Sequence, residues 1–78
     1  MRQYAVISRD GFFRDTTQIY STHATEAAAI KAAKTHRVSI PGNPPDQSSA
    51  MVIRGEGGFR RGETVYADTI RRLYPVVW

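Results

Sequence analysis

The chain has no cysteine. That excludes a disulfide framework and a thiolate metal site, and it makes a reducing compartment, the cytoplasm, the expected location. It also lacks any apolar run approaching the roughly 18 residues of a spanning helix, and MRQYAVISRD shows no basic region followed by an apolar stretch. Neither a membrane association nor an export signal is expected. Histidine is scarce: His23 and His36 fall at opposite ends of the one expected helix, too far apart for a shared site. The seven acids are scattered, with no pair placed on one expected face, so a two-carboxylate site and a divalent-cation cage are both unsupported. The glycines of RGEGGFRRG lead into a strand with no following Gly-Lys-Ser/Thr, which argues for a hairpin connection and against a phosphate loop. The expectation is a protein with no catalytic residues, no cofactor and no metal.

Lysine is nearly missing as well, since two lysines stand beside nine arginines. The formal charge of +4, from 11 basic and 7 acidic groups, attracts polyanions but falls short of the dense basic stripes of DNA-coating proteins. Guanidinium is planar, permanently charged and able to fork onto a carboxylate or phosphate, so the arginine excess points to interface recognition. Codon bias in a GC-rich genome is the alternative source of the same excess.

What is present is enough to fold. The 41% hydrophobic and 10% aromatic content exceeds that of disordered chains. At 78 residues the chain is expected to form one domain over 1–78, because so short a sequence buries only about 60% of its unfolded surface and cannot supply two cores.

The pattern predicts five elements. QYAVISR alternates as a first strand, Asp10-Gly11 suits a tight hairpin turn, and FFRDTTQIYS returns as a second strand. TEAAAIKAAKTH then reads as a helix capped by Thr25, with Ala29, Ile30 and Ala33 forming a narrow apolar stripe. PGNPPDQSS, residues 41–49, is a loop by its prolines. AMVIRGE is a third strand, GGFRRG a connection and ETVYADT a fourth strand, while IRRLY either extends that strand or makes a helical turn before Pro75 stops it. The fold class is therefore α+β in the order ββαββ, an antiparallel four-stranded sheet with one helix packed on one face.

The opposite face is expected to stay open. If Met51 and Ile53 point at the helix, Val52 and Arg54 point away; Val65 and Ala67 inward likewise put Tyr66 and Asp68 outward. RRGETVYADTIRR then sets an arginine pair at each end of the fourth strand, flanking that bare surface. The candidate partner-binding residues are Arg54, Phe59, Arg60, Arg61, Tyr66, Arg71, Arg72 and Tyr74, cations interleaved with aromatics as in protein hot spots and single-strand binders. A solvated edge guarded by arginines is the competing account. The apolar VVW ending is expected to pack back on the core or on a second copy, which is compatible with a homodimer.

In its element order, carried by YAVISRD, QIYSTHATEAAAIKAAK, SAMVIRGEGGF and TVYAD, the chain resembles the small phage or mobile-element anti-CRISPR proteins that act on type I CRISPR surveillance complexes. PGNPPDQSS and IRRLYPVVW have no counterpart in that resemblance. The resemblance implies a stoichiometric inhibitor in the cytoplasm of a bacterial host. Such a protein occupies a large nucleoprotein complex by steric and electrostatic contact and blocks target-DNA entry or nuclease recruitment. Two alternatives stand beside it: a basic RNA or single-stranded DNA binder using the open sheet face, and an antitoxin-like protein covering a toxin surface, to which the hairpin-then-helix opening is also similar.

Overall fold

The computed structural model describes residues 1–39 and 50–78, and within these the side chains of all but residues 10 and 36–39. The expected loop at 41–49 lies outside the described residues. Seven elements follow one another: β1 (Gln3–Ser8), α1 (Arg9–Phe12), β2 (Thr16–His23), α2 (Glu26–Ser39), β3 (Ala50–Gly55), β4 (Thr64–Tyr66) and α3 (Ala67–Leu73). The four strands form one antiparallel sheet in the order β3-β1-β2-β4, an α+β arrangement with α2 packed on one face. Among the described residues no helix is long and apolar enough to cross a membrane.

The connection between β1 and β2 differs from a tight hairpin turn. Ser8 caps α1 by accepting a hydrogen bond from the Gly11 N–H at 3.3 Å, and β2 begins only at Thr16. Gly11 is required here for closeness: an added Cβ would lie 2.4 Å from the Thr16 carbonyl oxygen and 2.6 Å from the Thr17 Cα. β2 carries one extra residue against β1, since Val6 pairs with Ser21 while Ile7 pairs with Ile19. Such a bulge bends the strand and sharpens its twist.

α2 starts as its sequence suggests. The Thr25 hydroxyl accepts from the Ala28 N–H at 3.2 Å, and Glu26 occupies the first turn, where the helix dipole favours an acid. Ala29 and Ala33 are fully buried and let the helix approach Tyr4, Val6, Ala50 and Val52. The expected facing of β3 is thus reversed, with Val52 toward α2. Ile53 and Met51 belong to the other side.

That other side is covered, contrary to the open face expected. Ala5, Ile7, Ile19 and Ile53 pack there with Phe12, Phe59 and Ile70, and Ile70 is brought by α3. Burying a second apolar face removes more surface from water than leaving it bare, and Ile7, Ile19, Ile53 and Ile70 supply the area. The fourth strand stops at Tyr66 and turns into α3, whose entry is tied by the Ala67 N–H to the Asp15 carbonyl at 2.9 Å.

Pro75–Trp78 folds back beside β3, as its apolar content suggested. Val52 donates to the Trp78 carbonyl at 3.0 Å and accepts from Val77 at 2.9 Å, and Arg54 donates to the Pro75 carbonyl at 3.0 Å. Ile53 and Val76 form the intervening bridge. The segment shields an edge that would otherwise invite pairing with another chain, and Val77 and Trp78 join the α2-side core.

Candidate nucleoprotein-binding surface

The eight residues singled out in the sequence separate into distinct environments. Arg60 and Arg61 sit in a tight turn that closes through the Glu63 N–H to the Arg60 carbonyl at 3.0 Å. The turn is fastened to β2 by Gly62 donating to the Ile19 carbonyl at 2.8 Å and Ile19 donating to the Glu63 carbonyl at 2.9 Å. Gly62 adopts φ +85°, a conformation that disfavours any side chain. Both arginines are exposed, and their side chains make no hydrogen bond or ion pair among the described residues. Tyr66, opposite Thr16 at the end of β4, is 67% exposed. These three residues are the exposed members of the expected surface on the β3–β4 connection and β4.

Phe59 and Tyr74 belong to the interior instead. Phe59 is only 7% exposed and meets the Tyr74 ring edge-on at 4.9 Å between centroids. Its backbone is held at both ends by the Gln3 side-chain amide, which donates to the Phe59 carbonyl at 3.2 Å and accepts from the Phe59 N–H at 2.8 Å. The ring fills the space left by Gly55, where a Cβ would stand 2.6 Å from it. Phe59 is therefore withdrawn from the set of contact residues, and Tyr74 is half-buried. Arg54 is also half-buried, on the strand shielded by Pro75–Trp78.

Arg71 and Arg72 lie on α3, which packs on the sheet face opposite α2, so they do not simply close the far end of β4. Arg71 is heavily engaged. It donates to the Phe12 carbonyl at 2.7 Å, lies 3.5 Å from the Asp68 carboxylate, and stacks its guanidinium 4.8 Å above the Phe12 ring. The Arg72 Nε donates to the Asp68 carbonyl at 3.4 Å, within its own helix.

A second arginine–aromatic cluster surrounds α1 and was not anticipated. Phe13 is 62% exposed, meets the buried Phe12 edge-on at 5.2 Å, and carries the Arg9 guanidinium 5.6 Å above its ring. Arg14 is exposed next to it. One signal in the sequence does point here: FFRD sets two rings side by side between charged residues, and Phe12, the last residue of α1, is buried while Phe13, its C-cap, is exposed.

His23 ends β2 and so precedes α2 altogether. Its Nε2 lies 2.9 Å from the Ser21 hydroxyl on the same strand. A nucleophilic serine would need its histidine oriented by a third group, and no carboxylate bonds to His23 among the described residues. Nor do these residues contain a group of three or more metal-ligating side chains. No protein-family model, curated protein or solved structure matches the chain.

Proposed function

We propose that this chain is a non-catalytic inhibitor that binds a large anionic nucleoprotein assembly, of the type I CRISPR surveillance class, and blocks target-DNA entry or nuclease recruitment by occupying its surface. The observation that carries the reading is the state of Arg60 and Arg61. They are exposed on a strand-fastened turn and pair with no acid among the described residues, where the ion pair formed is Arg71 with Asp68. Guanidiniums presented this way fork onto phosphates or carboxylates with little loss of side-chain order beyond their own. Tyr66 adds exposed ring area. A stacking platform for single strands receives less support, since the face opposite α2 is filled by Phe12, Phe59 and Ile70.

The test is a pull-down from cells expressing a type I surveillance complex, at two salt concentrations and with nuclease treatment. The complex is expected to be retained after nuclease treatment, and retention is expected to fall sharply when Arg60 and Arg61 are both replaced by alanine. Retention by the double variant equal to that of the wild type counts against the surface. Loss of all binding after nuclease treatment, with a steep salt dependence, favours direct nucleic-acid binding instead.

A further inference from the structure

We infer that Phe13, between Arg9 and Arg14, anchors a docking surface for a protein partner whose matching site is an apolar pocket rimmed by charges of both signs, its carboxylates toward the arginines. The inference rests on the binding reading above and deepens it, because it makes a protein subunit, and not the nucleic acid, the group touched by this side of the molecule.

Phe13 is 62% exposed, and its ring is also held in place. Phe12 braces its edge at 5.2 Å and 89°, and Arg9 covers one side at 5.6 Å. Phe12 is itself fixed by burial and by Arg71 above it and bonded to its carbonyl. A side chain already ordered in the free protein loses little freedom on docking, which is the property of a good anchor. Large rings beside arginines are also the composition that dominates protein interfaces.

The local charge favours a protein over a polyanion. Nucleic acid is held by several cations acting together on phosphates. Around Phe13, Arg71 is partly engaged by the Phe12 carbonyl and Asp68, and Arg9 and Arg14 are the cations beside the ring. Two exposed acids stand in the same region: Asp15, whose carbonyl receives α3, and Asp68, with a side chain 91% exposed. A phosphate backbone offers these acids no counter-charge, whereas a protein surface can offer groups of both signs. A mixed rim of this kind suits a protein site that is itself mixed, with Arg9 and Arg14 forking onto carboxylates of the partner, Asp15 and Asp68 facing its cations, and Phe13 in a pocket between them.

The experiment compares wild type, Phe13→Ala, Phe13→Leu and the Arg9→Gln/Arg14→Gln double variant in equilibrium binding. The probes are a purified type I surveillance complex and, separately, its free guide RNA, at about 50 and about 200 mM salt. Phe13→Ala is expected to weaken binding to the complex about tenfold or more, Phe13→Leu to restore most of it, and the double variant to fall between them. Free RNA is expected to bind weakly and indifferently to all four. Thermal melting of each variant establishes that it is folded, and Phe13→Leu preserves the test if the alanine variant is not. Unchanged affinity of Phe13→Ala, with wild type still bound, overturns the anchor and leaves the inhibitor reading standing. Equally tight, strongly salt-dependent binding of wild type to free RNA overturns the choice of a protein partner. Failure of wild type to bind the complex at all overturns the inference together with the reading on which it rests.

Discussion

The two faces of the sheet are packed by opposite means. Under α2 the helix contributes small buried side chains, Ala29 and Ala33, against Tyr4, Val6, Ala50 and Val52 of the sheet. On the other face the space is filled by bulk: Ile7, Ile19, Ile53 and Ile70 with the rings of Phe12 and Phe59. The first face depends on nothing intruding, and the second depends on nothing being removed. A seven-residue helix such as α3 has little intrinsic stability, so it is held by that bulk and not by its own propensity.

This contrast is broken most severely at Ile70, which is fully buried and is the main apolar group α3 contributes to the second face. Ile70→Ala is expected to destabilise the fold by about 2 to 5 kcal/mol, enough to leave a domain this small largely unfolded or marginal. Urea titration followed by circular dichroism measures it. A loss below about 1 kcal/mol would show that α3 is dispensable to the core.

The opposite change probes the α2 face. Ala33→Leu adds three carbons where the helix and sheet leave no room, and is expected to destabilise by about 1 to 3 kcal/mol through overpacking. The same titration reads the effect. If Ala33→Leu were neutral or stabilising, the close approach of α2 would not be what shapes this face.

The difference between the faces also explains what the sequence disclosed. The alternation in QYAVIS, the alanine run after Thr25 and the glycines around 57–62 each have one physical reading, and β1, α2 and the β3–β4 connection follow from them. AMVI does not, because Met, Val and Ile are apolar in succession and either set can face the helix; only a filled second face makes both burials favourable. ADTIRRL was equally open. Its acid at the start and arginines at the end suit a helix dipole, but the same residues can continue a strand, and what decides is Ile70 reaching Ile53's side of the sheet and Ala67 bonding to Asp15. The candidate surface inherits this ambiguity. Arg60, Arg61 and Tyr66 were legible as exposed because glycines and a strand end fix their setting, whereas Phe59 was drawn inward by Gln3 and Gly55, partners remote in sequence.

The smallest expected effect is also the most discriminating, because it sets two identical dipeptides against each other. Arg60–Arg61 and Arg71–Arg72 are the same dipeptide, one followed by Gly62 in a turn and one by Leu73 in a helix, and Arg71 reaches across to the Phe12 carbonyl and ring while Arg60 stands in water. The Asp68 contact contributes little, since that carboxylate is almost wholly solvated and surface pairs are weak. The charge-assisted bond to a carbonyl and the stacking on Phe12 remain. Arg71→Ala is therefore expected to destabilise by about 1 to 2 kcal/mol, and Arg60→Ala by no more than about 0.5 kcal/mol. Partner binding should rank the other way: Arg60→Ala weakens it directly, while Arg71→Ala acts only as far as it loosens α1 beneath Phe13. Equal stability losses for the two variants would mean that the Arg60 side chain is held by internal contacts no weaker than those of Arg71, and Arg61 would then be left as the exposed cation of that turn.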